Sequence, residues 1–345
     1  MGKEIIRIGV VGAGANVLER HAPGFQAIAN VELLAVCNQT RESASRVAAK
    51  LGIPRVYDNW LELIEDDDVD AICIGTWPNL HCPITLAAFE RDKHVLTEAR
   101  MALDADEAKT MLEASKSVPH LVAQLVPAPF TLGVDRTIQE LVSNRYLGDL
   151  LAIDIRISPG GFVDLEAPIH WRQDYELSGY NALSLGIWYE SMLKWVGPAT
   201  RVLSMTKVVM NKRKDASGFV RSVLVPDHID VLCDMACGAQ AHFQVSAVTG
   251  LSDGGIWLYG SEGTLFFDPQ TNLLKGGRRG DTSLQEINIP FDKRGKWRVE
   301  EEFINCIRGI EKVKNTSFDD GLRYMEFTEA VARSAQSGKE IFLPF

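Results

Sequence analysis

The chain has 345 residues, 46% hydrophobic and 24% charged, with 36 Lys and Arg against 46 Asp and Glu. A formal net charge of −10 argues against a nucleic-acid backbone or an anionic membrane surface as partner, because both call for excess cations. The length exceeds what one hydrophobic core comfortably serves, so two domains are expected.

No apolar stretch approaches the roughly 20 residues that a membrane-spanning helix needs. The first apolar run is short and carries no secretory pattern, so a cytoplasmic location is expected. Six cysteines (Cys37, Cys73, Cys82, Cys233, Cys237 and Cys306) form no C-x-x-C pair. Along a strand Cys233 and Cys237 would stand roughly 13 Å apart, too far to share a metal. Buried, reduced thiols and no metal site are the expectation.

Residues 5–11 read as a buried parallel strand, β-branched without clean alternation. Gly12 and Gly14 follow, and then a helical pattern begins with Leu18, Phe25 and Ile28. Gly12 permits a tight turn and Gly14 the close approach of a pyrophosphate. The phosphates would meet the open N–H groups of the helix start, at Ala15 and Asn16. A full dinucleotide fingerprint has a third glycine where this chain has Val17. Residues 31–37 make a second buried strand, whose end would meet the adenosine ribose. There the chain places Asn38, with Arg41 close behind. Asn does not repel a 2′-phosphate and a guanidinium pairs with one, which favours NADP over NAD.

Helices are expected over 41–51, 60–64, 84–91 and 104–117, and strands around Val56 and over 70–75, 94–97 and 121–125. The acidic run Glu65-Asp66-Asp67-Asp68 reads as a solvated turn. This alternation implies an α/β, doubly wound parallel sheet with ligands at the carboxyl ends of its strands. Gly14, Asn38, Thr76-Trp77-Pro78-Asn79 and Glu98 all fall at those ends.

Pro127 and Pro129 mark a junction that divides residues 1–126 from 127–345. Beyond it, helices are expected over 132–143, 181–195, 299–307 and 321–336. Extended runs cover 151–157, 201–209, 228–235, 240–248, 256–258 and 284–289. Runs of strands with a few helices indicate an α+β domain with a large, mostly antiparallel open sheet.

The ordered set Gly12-x-Gly14, Ala35-Val36-Cys37-Asn38, Thr76-x-Pro78-Asn79-x-His81 and Val95-x-x-Glu98 resembles the Gfo/Idh/MocA oxidoreductase family. Residues 5–125 resemble its nucleotide-binding domain, and the remainder resembles its second domain. The resemblance implies a Rossmann-type first domain that binds NADP or NAD. The cofactor would touch Gly12, Gly14, Ala15, Asn16, Asn38, Arg41, Thr76, Trp77, Pro78, Asn79, His81 and Glu98. It also implies a sugar, polyol or sugar-derived substrate, and a homodimer or homotetramer built through the second sheet.

Hydride transfer from a carbinol carbon also moves a proton, so a positioned acid/base is expected. The family usually supplies a Lys in a Glu-Lys-Pro segment, and an Asp and a His four residues apart on a helix. This chain has Glu98-Ala99-Arg100, with Ser184 and Trp188 at the other two positions. Neither Ala nor Trp shuttles protons near neutral pH. Helix 181–195 would present Asn181, Ser184 and Trp188 on one face. These, with Arg100, Trp171 and Arg172, would form the substrate pocket. The replacement acid/base candidates are His170, Glu98 and Tyr180, and His170 leads because its pKa needs least adjustment. Two other readings explain the missing lysine. One is a glycoside-cleaving enzyme that oxidises its sugar transiently. The other is a non-catalytic nucleotide-binding or redox-sensing protein.

Overall fold

In the computed structural model, residues 5–345 are described. The first unit is built on six strands, β1 (Ile6–Val11), β2 (Val31–Cys37), β3 (Arg55–Tyr57), β4 (Ala71–Ile74), β5 (His94–Thr97) and β6 (Ala123–Leu125). All pair in parallel, in the order β3-β2-β1-β4-β5-β6. Ile8, Val10, Ala35, Val36, Ile72, Ile74, Val95 and Leu96 are buried. Consecutive as well as alternate residues of these strands are covered, which is why the sequence shows unbroken apolar runs. The connections are a wide turn over Val17–His21 running into α1 (Ala22–Gln26), then α2 (Arg41–Leu51), α3 (Trp60–Glu65), α4 (His81–Glu90) and α5 (Ala105–Ser117). Side chains of Thr40, Asn59 and Asp104 accept first-turn N–H groups of α2, α3 and α5, satisfying donors that have no helical partner. Strand order reverses between β1 and β4, and that crevice is where sheets of this kind take ligands.

The acidic run after α3 is not merely a solvated turn. Asp66 is nearly buried and accepts hydrogen bonds from Arg55 (2.7 Å) and Tyr57 (2.8 Å), because β3 delivers both donors to it. Its neighbour Asp68 pairs with the same guanidinium.

The second unit contains α6 (Asp135–Ser143), β7 (Leu150–Ile157), α7 (Tyr175–Ser178), α8 (Leu185–Val196) and β8 (Ala199–Lys207). A small hairpin, β9 (Lys212–Lys214) with β10 (Val220–Ser222), precedes β11 (His228–Met235), β12 (Gln240–Ser246), β13 (Gly255–Gly260), β14 (Gly263–Asp268), β15 (Leu273–Arg278) and β16 (Gln285–Glu286). In chain order α9 (Val299–Ile307), which belongs to the first unit, and α10 (Phe318–Ser337) follow, and then β17 (Ile341–Phe342). Nine strands form one sheet in the order β16-β15-β14-β13-β7-β12-β11-β8-β17. Only β7 and β12 run parallel, and every other pair is antiparallel. Strand β11 shows the period of two: Ile229, Val231, Cys233 and Met235 are buried, whereas Leu232 between them is exposed. On the buried face Tyr189 of α8 stacks on Phe327 of α10 at 3.7 Å, and both rings pack against Phe243 of β12.

The two units are not two contiguous segments split at 126/127. The first takes residues up to Pro127 together with Arg298–Leu322; the second takes Ala128–Trp297 with Arg323–Phe345. Apolar packing and hydrogen bonding explain the return. Phe303 of α9 meets Phe25 edge-on at 6.4 Å, and Leu125 N–H donates to Thr316 O. The cysteine expectation also needs correction at two sites. Cys37, Cys73, Cys82 and Cys233 are buried, but Cys306 is half-buried and Cys237 is exposed, the latter because it lies in the turn beyond the end of β11.

Candidate active site

The loop leaving β1 is shaped by Gly12. Its φ is +84°, and a Cβ would sit 2.6 Å from the Thr76 backbone nitrogen. Only glycine fits that combination. Gly12 N–H donates to Cys37 O and Gly75 N–H to Val11 O, each at 2.8 Å, so the ends of β1, β2 and β4 are tied together. At Gly14 the situation is opposite: a Cβ would meet nothing within 4 Å, and the residue is exposed. The helical bonding begins with Leu18 N–H to Gly14 O. The N–H groups of Ala15, Asn16 and Val17 therefore precede the first helical bond and present positive partial charge beside open space. Val17 itself is buried. A Cβ on Gly75 would lie 2.5 Å from Val17 Cγ2, so Gly75 supplies the close packing that the fingerprint's third glycine usually supplies.

Asn38 gives its Oδ1 to Ala13 N–H at 2.6 Å, holding the glycine turn against the end of β2. Arg41 is exposed and pairs with Asp58 at 2.7 Å. After β4, Trp77 is partly exposed and Pro78 is buried. Asn79 Oδ1 is buried with no hydrogen-bond partner among the described residues. Open floor at Gly14, uncommitted N–H groups and an orphaned acceptor fit a bound dinucleotide. His81 does not share in that surface. Its ring is fully buried, with Nδ1 2.9 Å from Arg100 O and Nε2 3.0 Å from Thr76 O. It links the loops after β4 and β5, and burial pushes its pKa below the ordinary range despite both carbonyls. The expected cofactor contact through His81 is thus an internal tie. Arg100 is likewise buried, following a cis Ala99–Arg100 peptide.

Beside the cradle, Glu98 leaves the carboxyl end of β5. Its Oε1 accepts from His21 Nε2 at 2.9 Å and from Asn16 Nδ2, and its Oε2 has a 3.4 Å contact with Ala99 N–H. His21 Nδ1 in turn lies 2.5 Å from Glu300 Oε1 on α9. Side-chain exposure falls from 16% at Glu98 to 4% at Glu300 and 1% at His21. Burial alone would depress the His21 pKa, but hydrogen bonds and charge from Glu300 and Glu98 outweigh it and raise it to about 9. Burial would raise that of Glu98, and His21 with Asn16 more than offset it, holding the carboxyl below its ordinary range. At neutral pH His21 is thus an imidazolium between the ionised Glu98 and the Glu300 side chain.

In the second unit, a cleft of ≈ 590 Å³ is lined by Phe130, Arg156, Arg172, Ser184, Trp188 and Ser246 among others. Helix α8 starts at Leu185, four residues later than expected. Leu183 has φ +52°, a left-handed conformation that no α-helix continues, and Ser184 stands at the cap position. Asn181 is therefore off the helix, buried, with Nδ2 donating to Ser178 O at 2.7 Å. Trp188 donates its indole N–H to Ser184 Oγ at 3.1 Å and stacks on Phe130 (5.5 Å, 17°). Trp188 is only 4% exposed and Phe130 is 50% exposed. Phe130 is thus the open member of the stacked pair and Trp188 the covered one.

Residues 6–124 match the family model of the Gfo/Idh/MocA oxidoreductases, described as the oxidoreductase family with an NAD-binding Rossmann fold. Residues 136–266 match the GFO/IDH/MocA C-terminal domain. The chain belongs to the Gfo/Idh/MocA family. It is 24% identical to a 1,5-anhydro-D-fructose reductase of Ensifer adhaerens over 96% of this chain and 97% of that protein. It is 28% identical to a myo-inositol 2-dehydrogenase of Thermotoga maritima, over 51% of this chain and 54% of the relative. The match to an uncharacterized oxidoreductase ORF334 of Rhizobium meliloti also spans about half of that relative (54%). Among solved structures, levoglucosan dehydrogenase in complex with NADH and L-sorbose superposes with a TM-score of 0.84 at 19% identity, covering 98% of this chain and 99% of that one. At that identity the likeness shows the fold alone.

Ala99 has no ionisable group, and Ser184 and Trp188 hydrogen-bond each other. Of the residues expected around the substrate, Arg172, Ser184 and Trp188 share the cleft, and Trp171 and Asn181 lie outside its walls. His170 is exposed and caps a short turn, its Nδ1 accepting Arg172 N–H at 3.2 Å. Partial burial and the Arg172 charge push its pKa down. Trp171 carries the Arg172 guanidinium over its ring at 4.2 Å, and Tyr180 meets Tyr175 edge-on. The sequence reading missed His21, Glu300 and Phe130. His21 carried a faint signal, a lone histidine on the helix that follows the glycine turn; Glu300, on α9, carried none.

Proposed function

We propose that this chain is an NAD(P)-dependent oxidoreductase acting on a sugar or sugar derivative, with Glu98 as its acid/base. The observation that carries the reading is the Glu98 carboxylate, anchored through Oε1 at the carboxyl end of β5, beside a cradle with open floor at Gly14. The pyrophosphate would lie over Gly12 and Gly14, at the N–H groups of Ala15 and Asn16. Thr76, Trp77, Pro78 and Asn79 would line the nicotinamide side, with Asn79 Oδ1 as a waiting acceptor. When bound, the cofactor supplies the hydride acceptor. Glu98 Oε2 takes the hydroxyl proton as the C–O bond becomes C=O, and returns it in the reverse direction.

Glu98 is preferred to His170 and Tyr180 because ligands of doubly wound sheets gather at strand carboxyl ends, and His170 already uses Nδ1 in its own turn. In the cleft, Phe130 would face a sugar ring, with Arg172, Ser184 and Trp188 around it. Names of relatives such as 1,5-anhydro-D-fructose reductase and levoglucosan dehydrogenase support a sugar-type substrate. NADP is the proposed preference. No carboxylate follows β2, and the exposed Arg41–Asp58 pair is weak enough for a phosphate to displace.

The outward face of the second sheet exposes Leu203, Met205, Leu232 and Tyr259, an apolar surface suited to a second copy of the chain. Calorimetric titration with NADH and NADPH tests the cofactor, and turnover across a sugar panel tests the chemistry. Absence of binding to either nucleotide would overturn the reading. Tight binding without turnover would favour a nucleotide-binding protein that lost catalysis, a reading to which the Ser184–Trp188 pairing also points.

A further inference from the structure

We propose that His21, clamped between Glu98 and Glu300, is the positioning residue that keeps Glu98 ionised and aimed for proton exchange. The inference rests on the assignment of Glu98 as the acid/base, and extends it to two residues from distant parts of the chain.

Three observations carry it. The first is the pairing itself. Both ring nitrogens of His21 face carboxylate oxygens, Nδ1 at 2.5 Å from Glu300 Oε1 and Nε2 at 2.9 Å from Glu98 Oε1. Only an imidazolium donates from both nitrogens; a neutral ring would turn a lone pair towards one carboxylate. His21 therefore carries a proton on each ring nitrogen, one shared with Glu300 and one with Glu98. Of the three residues in this row Glu98 alone has appreciable exposure, so protons enter and leave through Glu98.

The second observation is the turn that holds His21. Ala22 N–H bonds to Val17 O, a five-residue step that widens the helix by one residue. Val17 and His21 then share its buried side. Such wide turns inside helices are frequent at functional sites.

The third is the room made for Glu300. A Cβ on Gly24 would lie 2.7 Å from the Glu300 carboxyl carbon and from its Oε2. Gly24 sits within α1, where alanine is the better helix former. Its missing side chain is the space that Glu300 occupies. A partner this deeply seated is not a chance surface contact.

With Oε1 taken by His21 and Asn16, Oε2 is the oxygen left for exchange. During oxidation the substrate O–H bond breaks and its proton goes to Glu98 Oε2. The O–H electron pair completes the C=O bond, and the carbon's hydrogen leaves with its two electrons to the nicotinamide. His21 keeps its proton throughout. Its charge stabilises the carboxylate and lowers the pH at which Glu98 becomes competent as a base. The other titratable groups near the row are His81, whose charge would act on Glu98 in the same sense, and the buried Cys73 thiol, whose pKa the two carboxylates and burial raise.

The test uses the full chain as wild type and as His21→Gln, Glu300→Gln and Glu98→Gln. Histidine ring carbons labelled with ¹³C report the His21 titration without any turnover. His21 should remain protonated to about pH 9, and should titrate lower in Glu300→Gln and in Glu98→Gln. With a sugar that the wild type turns over, His21→Gln should lower kcat by about 100-fold and change KM and the NADH Kd by less than about threefold. The acid limb of kcat should move up by about one pH unit as Glu98 loses its cationic neighbour. In Glu300→Gln the ring stays protonated across the acid limb, so that limb should not move up, and the lowered His21 titration in this variant serves if His21→Gln does not fold. An ordinary His21 titration in the wild type, an unmoved acid limb in a folded His21→Gln, or an unmoved His21 titration in Glu300→Gln would overturn the inference. Failure of the wild type to bind NADH or NADPH would sink the oxidoreductase reading and leave the His21 titration to decide the clamp on its own.

Discussion

His21 Nδ1 and Glu300 Oε1 stand 2.5 Å apart although 279 residues separate them in sequence. The contact is buried, and together with Glu98 it outweighs the burial penalty and raises the His21 pKa to about 9. A group whose pKa rises on folding adds stability that is complete below its unfolded pKa and is lost as pH rises through the folded value. The contribution of His21 should thus be nearly full at pH 6, cut by more than half at pH 8 and gone by pH 10. Urea unfolding of wild type and His21→Gln at those three values measures it. The gap should be on the order of 2–3 kcal/mol at pH 6 and close by pH 10. A gap that is constant with pH would show that only packing was lost.

The two glycines of the cradle should respond in opposite ways. Gly12→Ala forces a Cβ against Thr76 in a left-handed backbone, and should cost about 2 kcal/mol or more of stability. Gly14→Ala meets no protein atom within 4 Å, so thermal unfolding should be nearly unchanged. It should nevertheless weaken NADH binding by about tenfold, since the methyl group fills the floor on which the pyrophosphate would rest. Calorimetry with both variants separates fold from cofactor.

Cofactor choice should turn on Asn38. Asn38→Asp keeps an oxygen for Ala13 N–H but adds a negative charge at the end of β2. NADPH should bind about tenfold more weakly, a difference of about 1.4 kcal/mol, and NADH should bind at least as well as before. Equal losses for the two nucleotides would mean that residue 38 shapes the loop without reading the ribose.

Phe130 and Trp188 form a stacked pair with different duties. Trp188→Ala empties a buried site and should cost about 3–5 kcal/mol. Phe130→Ala removes a half-exposed ring, so stability should fall by about 1 kcal/mol or less. The KM for the sugar should rise several-fold in the Phe130 variant. An unchanged KM would remove Phe130 from the substrate surface.

The outward face of the nine-stranded sheet should hold a second copy of the chain. Met205→Asp and Leu232→Asp place charges on exposed strand positions without touching the buried face. Sedimentation velocity should show a dimer or tetramer for the wild type and a smaller species for the double variant. A wild type that sediments as a monomer would discard this interface.

What the sequence determined by itself was the architecture and the glycine turn after β1. Strands buried on both faces must be written as unbroken apolar runs, and a turn such as that at Gly12 must be written as glycine, so both are local statements. That Ala99, Ser184 and Trp188 carry no group that exchanges protons near neutral pH was legible for the same reason, since each residue's chemistry is its own. The tertiary structure decided the rest. Leu183 breaks α8 through a backbone conformation that leucine seldom adopts, which moved Asn181 off the helix. His81, expected at the cofactor, is enclosed between two loops. The His21–Glu98–Glu300 row needs residues 298–322 to return to the first unit, and no local pattern announces that return. Periodicity and turn chemistry act within a few residues, but which buried charge meets which is fixed only when distant segments pack together.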